Sequence, residues 1–175
     1  MKQQIDAFDY AGQICKAMKK GILLTTRAGE KVNTMTIGWG KIGIEWNRPV
    51  FIAYVRETRY TKQLLEETGE FTVNIPCGDV DSKILSYCGT KSGRDTDKIG
   101  DLGLTLVDSD VVNAPGIGQL PLTLECKVIY KQQQDLTRVP QEILTRFYPA
   151  LDETGFRDYH IAYYGEIVNA YLIQE

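Results

Sequence analysis

Apolar residues along the chain recur with two spacings, and the alternating one dominates. Ile5, Phe8, Ala11, Ile14, Cys15 and Met18 keep the three-to-four spacing of one helix face, so residues 6–18 are predicted helical until Gly21 breaks the pattern. ILLTT, from Ile22, reads as a buried strand. Val32 to Trp46 is rich in β-branched and aromatic residues, Asn47-Arg48-Pro49 marks a turn, and Val50 to Val55 is a strand. Thr58 or Thr61 supplies the N-cap of a helix near 59–68 that carries Leu64 and Leu65 inward and ends before Gly69. Phe71 to Ile75 is a further strand, closed by Pro76. Asp81 or Ser82 caps a short helix through Tyr87. The glycine-rich, charged segment 88–103 reads as a functional loop with one helical turn. Leu122 to Tyr130 alternates as a long strand, Pro140 opens a helix over 141–148, and His160 to Ile173 closes the chain as a long strand. Strands rarely alternate with full-length helices, so no βαβ rhythm appears. The expected class is mainly β (α+β), an antiparallel barrel with a few peripheral helices.

Composition narrows the partners. A chain of 175 residues is expected to form one domain that buries about 70% of its unfolded surface. The net charge of −3, with Lys and Arg scattered, leaves no footprint for nucleic acid. The Lys16 to Lys20 cluster reads as a solvated helix end. MKQQIDAFDY lacks the apolar core of a signal peptide, and no run of apolar residues is long enough to span a membrane, so a cytoplasmic protein is expected. Cys15, Cys77, Cys88 and Cys126 form no C-x-x-C pair. They are expected to be reduced thiols, most of them buried and structural. A single histidine excludes metal sites built on several imidazoles, and no metal is expected. Neither the nucleophile elbow G-x-S-x-G nor the phosphate loop G-x-x-x-x-G-K-[ST] occurs.

Gly38-Trp-Gly-Lys-Ile-Gly43 matches the dinucleotide fingerprint G-x-G-x-x-G. That fingerprint needs a helix directly after the glycine turn, with its N-terminus on the pyrophosphate. Here Ile44-Glu-Trp-Asn-Arg-Pro49 and then a strand follow, so no crossover helix fits and the match is accidental. Glycine in such a strand marks a bulge or a close approach to the backbone.

An ordered series of segments extends this reading. Asn33-Thr-Met-Thr-Ile-Gly-Trp39, Pro49, Tyr54-Val-Arg-Glu-Thr-Arg-Tyr-Thr61 and Glu70-Phe-Thr-Val-Asn-Ile-Pro76 come first. Gly89 to Lys98, Leu124-Glu-Cys-Lys127 and His160-x-x-x-x-Gly165-Glu166 follow. Together they resemble the flavin reductase-like family of FMN-binding split barrels, most of all its flavoredoxin-type branch, over roughly residues 20–172. The resemblance implies a homodimeric split barrel with FMN near the subunit interface. Asn33, Thr34, Met35, Thr36 and Trp39 would then line the flavin ring. Arg56, Arg59, Tyr60 and Thr61 would hold the phosphate. Ser92, Gly93, Arg94, Asp95 and Lys98 would close over the flavin, and His160 would stand near the ring or the reductant as the catalytic candidate.

The residues support that chemistry on their own account. A helix N-terminus favours anions and disfavours arginine, yet Arg56 and Arg59 stand at a strand-to-helix junction; a bound phosphate resolves the conflict. Arginine engages phosphate oxygens in pairs. Amides of Thr34 to Thr36 suit the flavin carbonyls. The polar run Lys131 to Asp135 and the acidic Asp108 and Asp110 read as solvated loop surface, and residues 152–158 as a flap or a turn. Three functional readings stay open at this level. One is an oxidoreductase taking electrons from NADH, NADPH or a protein donor through FMN to a flavin, an iron centre or a partner protein. The second is an electron carrier or flavin-binding module without reductase activity of its own. The third is a barrel for another flat apolar ligand.

Overall fold

The computed structural model describes residues 1–174. The strands are β1 (Lys2–Gln4), β2 (Ile22–Ala28), β3 (Lys31–Ile37), β4 (Gly40–Glu45), β5 (Arg48–Arg56), β6 (Glu70–Ile75), β7 (Leu106–Val107), β8 (Gly116–Ile117), β9 (Leu122–Gln133) and β10 (His160–Ile173). The helices are α1 (Ala11–Met18), α2 (Tyr60–Thr68), α3 (Ser82–Thr90), α4 (Lys98–Leu102) and α5 (Gln141–Phe147). One antiparallel sheet runs in the order β3-β2-β6-β9-β10-β5-β4, with β1 added to the far end of β10, and β7 pairs with β8 alone.

β3 and β4 are the two opposite edges of this sheet, yet only Gly38 and Trp39 separate them in the chain. Two residues span only about 7 Å, so the sheet has to curl until its edges meet at that corner. They meet without pairing, and the result is a split barrel. Gly40 permits the corner: a methyl there would lie 2.9 Å from the Met18 sulfur and from the Phe51 ring. The three-glycine segment is thus a barrel corner followed by a strand, as its neighbours required.

Inside the barrel, Leu24, Phe51, Val55, Phe71, Leu124 and Tyr163 form the centre of the apolar core. Gly165 on β10 makes room for it, because a methyl there would stand 2.5 Å from the Phe71 ring. A buried polar row crosses β3, β2 and β6: the Thr25 hydroxyl donates to Thr34, and the Asn74 amide donates to Thr25 and Thr72. Glu125, fully buried on β9, accepts the successive amides of Asp110, Val111 and Val112 and the Asn169 side chain. That carboxylate pins the strap between β7 and β8 onto the sheet.

Several local expectations need correction. The first helical stretch begins as a 3-10 turn, Ala7–Tyr10, started by Asp6 accepting the Phe8 amide. The hairpin turn sits at Trp46 and Asn47, both at positive φ, and Arg48 already belongs to β5. Thr58 does not cap α2: its amide and hydroxyl both donate to Asp158, and Arg59 occupies the N-cap. The segment 88–103 is more ordered than a loop, since α3 runs to Thr90 and α4 starts at Lys98. Only Cys88 and Cys126 are buried, whereas Cys15 and Cys77 are exposed. The run from Lys131 continues β9 and pairs with β10 instead of forming a loop.

Candidate functional site

The free edge of β3 is where the site begins. The Thr34 carbonyl accepts Lys98 Nζ at 2.9 Å and so points away from β2. In an antiparallel ladder the amide and carbonyl of a residue point the same way and alternate residues repeat it. The amides of Thr34 and Thr36 therefore face outward from the edge, on the Lys98 side. Two adjoining clefts lie along it, of about 160 Å³ and 190 Å³, sharing Met35 and Arg59 as common walls. Together they reach the lower end of the roughly 300–1,000 Å³ typical of ligand pockets.

The first cleft is lined by Asn33, Arg59, Tyr60, Ser92, Arg94 and Lys98, among others, and by no acidic residue. Lys98 is only 5% exposed, and its ammonium is held by two carbonyls, Thr34 and Cys88, at 2.9 and 3.0 Å. Burial pulls its pKa below the ordinary lysine value, and the neighbouring Arg59 charge adds to the effect. Among the described residues Arg59, Arg94 and Lys98 form no ion pair. Lys98 alone of the three is buried, and because buried charge is normally paired, its ammonium lacks an anionic partner among the described residues, with the exposed Arg59 and Arg94 beside it. The α2 N-terminus adds to this positive charge, because its cap residue Arg59 offers no side-chain acceptor to the first amides. Gly93 packs so tightly here that a methyl would lie 2.1 Å from Asn33 Oδ1 and 2.9 Å from the Tyr60 ring.

The second cleft is aromatic. Trp39, at the barrel corner, stacks edge-on to Phe147 at 5.2 Å between centroids and lies tilted against His160 at 4.8 Å. Tyr54, Arg56, Arg59 and Thr36 complete the wall. His160 is 7% exposed, and its Nδ1 meets the Tyr148 hydroxyl at 2.8 Å. Burial, reinforced by Arg56 and Arg59, lowers its pKa to about 4, so the ring is neutral at physiological pH.

The residues expected from sequence divide into three groups. Asn33, Met35, Arg59, Tyr60, Thr61, Ser92, Gly93, Arg94 and Lys98 gather around the first cleft. Met35, Thr36, Trp39, Arg56, Arg59 and His160 gather around the second. Thr34 contributes its carbonyl through Lys98 while its hydroxyl is committed to the Leu24 carbonyl, and Asp95 lines neither cleft but a third, of about 720 Å³, that shares Asn33, Tyr60, Gly93, Arg94 and Lys98 with the first. Two members are already engaged. The Arg56 guanidinium donates to the carbonyls of Asp158 and Phe147 at 2.6 and 3.0 Å, and the Thr61 hydroxyl accepts from Asn33 at 2.7 Å. Arg56 therefore braces the 147–158 segment, and Thr61 fixes Asn33. Sequence reasoning missed Tyr54, Phe147, Tyr148 and Gln134. Strand register brings Tyr54 and Gln134 to His160, and the docking of the α5 end brings Tyr148 to His160 and Phe147 to Trp39, so no local signal marked them.

An antiparallel split barrel with a cation-lined cleft on a free strand edge is the class these features define. Solved structures share the fold. The flavoredoxin from Methanosarcina acetivorans is 26% identical, with a TM-score of 0.63 over 88% of this chain and 68% of that one. The flavoredoxin of Desulfovibrio vulgaris (Miyazaki F) is 24% identical, with a TM-score of 0.63 over 88% and 69%. An FMN-binding domain of flavin reductases-like enzyme from Shewanella baltica has the same fold at 16% identity, with a TM-score of 0.63 over 98% and 77%. Residues 17–175 match the flavin reductase like domain, and the chain belongs to that family. Among curated relatives, an uncharacterised protein of Archaeoglobus fulgidus is 35% identical over 100 residues, 57% of this chain and 55% of the relative. One of Pyrococcus abyssi is 26% identical over 106 residues, 61% and 59%. The match thus spans under two thirds of either relative's length. Among the described residues no helix is long and apolar enough to cross a membrane.

Proposed function

We propose that this chain binds FMN along the β3 edge, with its phosphate in the first cleft and its ring reaching the mouth of the second, and acts as a flavin-dependent oxidoreductase. The carrying observation is that both clefts present cations and free amides without a single carboxylate, in a protein whose net charge is −3. The phosphate is assigned to Arg59, Arg94, Ser92 and the first amides of α2, beside the unpaired Lys98 ammonium. The ring is assigned to the β3 edge between Asn33 and Trp39, with the Thr34 and Thr36 amides available to its acceptor atoms. Bound there, the flavin would supply the electron chemistry, while the protein orients it and sets its electrostatics. NADH, NADPH or a protein is the proposed donor, and a flavin, an iron centre or a partner protein the acceptor.

The exposed sheet surface supports a homodimer. Tyr130 stacks on Tyr164 at 4.9 Å, and Trp46, 59% exposed, lies edge-on to Tyr130 at 6.0 Å. Exposed aromatic clusters of this kind suit a protein contact, and a monomer in sedimentation at micromolar concentration would remove the dimer from the proposal.

The deciding experiment incubates the purified protein with FMN, removes free ligand and records the visible spectrum. Near-stoichiometric flavin bands support the proposal, and a colourless protein overturns it. The carrier reading has one observation in its favour: the clefts are small, with little room for a nicotinamide beside a flavin. Slow bleaching by NADH and NADPH, with fast reduction by a protein donor, would select it.

A further inference from the structure

Gln134, just past the end of β9, is hydrogen-bonded to a residue 26 positions away. Its backbone amide donates to the His160 carbonyl at 3.0 Å, and its side-chain Oε1 accepts the His160 amide at 3.3 Å. A backbone N–H is only ever a donor, so this contact fixes Gln134 with its oxygen, not its nitrogen, toward β10. The same oxygen stands 2.7 Å from the Tyr148 hydroxyl. Two bare oxygens at that distance repel, so Tyr148 directs its only proton to Gln134. Tyr148 then faces His160 Nδ1, at 2.8 Å, with lone pairs alone. Nδ1 must carry the proton of the neutral ring, and Nε2 must carry none.

We infer that Gln134 and Tyr148 are positioning residues that lock His160 in the Nδ1–H tautomer, making Nε2 a hydrogen-bond acceptor aimed at whatever occupies the second cleft. Nε2 has no hydrogen-bond partner among the described residues, and His160 lines that cleft with Trp39, Tyr54 and Arg59. Of the other polar side chains in the cleft wall, the two arginines and the Trp39 indole only donate, the Thr36 hydroxyl gives its proton to the Leu85 carbonyl, and the Tyr54 hydroxyl can donate or accept. His160 thus adds to a donor-rich wall a ring nitrogen that can only accept, able to favour a ligand by its N–H or O–H group. The lowered pKa keeps the acceptor free of a proton under physiological conditions. The ligand class that matches is a flat ring carrying a donor. Its identity as the second reactant rests on the flavin-binding proposal, whereas the tautomer does not.

The chain contains one histidine, so nitrogen-15 NMR of the intact protein reads this tautomer without assignment. The expected spectrum has a protonated Nδ1 and an unprotonated Nε2 at neutral pH. Gln134→Leu removes the acceptor of the Tyr148 proton, which is then free to turn to Nδ1, and the signals are expected to exchange toward Nε2–H. Tyr148→Phe should also shift the balance away from Nδ1–H. A wild-type spectrum showing Nε2–H overturns the inference, even if neither variant folds. The functional arm uses the FMN-treated protein with benzamide and methyl benzoate, which share a ring and differ in the N–H donor. Wild type is expected to favour benzamide by about fivefold, the worth of one neutral hydrogen bond, and Gln134→Leu to lose that preference. Equal affinities in wild type overturn the selector role. A protein that never retains flavin but shows the Nδ1–H tautomer refutes the flavin proposal and leaves the relay standing.

Discussion

Lys98 Nζ sits 2.9 Å from the Thr34 carbonyl with no carboxylate beside it, so one ammonium joins the α4 turn to the free edge of the barrel. Its burial and the Arg59 charge both work against keeping it protonated. A bound dianion reverses that balance.

Lys98→Met is therefore expected to weaken FMN binding by about ten- to a hundredfold, the range of a charge-assisted hydrogen bond. Fluorescence quenching of added FMN measures it. Arg59→Ala should act in the same direction and flatten the dependence of the dissociation constant on salt, because an exposed cation is screened. Unchanged binding in both variants would move the phosphate elsewhere.

Gly93→Ala places a methyl 2.1 Å from Asn33 Oδ1. Overpacking of this kind costs about 1–3 kcal/mol, and denaturant unfolding should show the loss together with weaker flavin retention. Adding Asn33→Ala removes the clashing amide and is expected to restore much of the stability. A single variant as stable as wild type would mean that the 92–95 turn moves freely.

The pH dependence follows from His160. Its folded pKa of about 4 lies below the free value of 6.5, so between these limits the unfolded chain binds a proton that the folded protein refuses. Stability gained above pH 6.5 is thus lost as pH falls toward 4. Arg56 and Arg59 oppose the charged ring, Asp158 favours it, and Tyr148 meets it at Nδ1. Denaturation curves of wild type and His160→Asn at pH 7 and pH 5 should diverge at the lower pH, wild type losing more. Parallel curves would contradict the assignment.

Glu125→Gln tests the pin on the strap. The carboxylate takes three successive amides, and the replacement amide turns a donor toward one or more of them. Leaving such groups unsatisfied costs about 1–3 kcal/mol each. Faster hydrogen exchange at 110–112 with a lower denaturation midpoint is expected, and wild-type exchange there would show that the strap is held by other contacts.

Much of this architecture was legible in the residues. β10 spans His160–Ile173 as its alternation indicated, and Asp81 caps α3 by accepting the Lys83 amide, while Gly69 closes α2 in the left-handed conformation that glycine tolerates. These are signals within a few residues of one another. Thr58 misled because Asp158, a hundred positions on, competes for its hydroxyl and amide. Arg56 looked like a phosphate ligand for a similar reason: its carbonyl partners at Phe147 and Asp158 belong to a segment that only folding brings near.

The sequence by itself determined which stretches are strands and where helices stop, and its resemblance to a known family singled out Asn33 to Trp39, Arg59 to Thr61 and Ser92 to Lys98 as the candidate site. Periodicity, caps and turn residues act through neighbours in the chain, and their energies are written locally. Tertiary structure alone decided that β3 is an edge with free amides, that Lys98 is buried without an anion, and that Gln134 and Tyr148 govern the proton of His160. Those facts depend on strand register and on which donor reaches which acceptor, and both are set only when distant segments pack together.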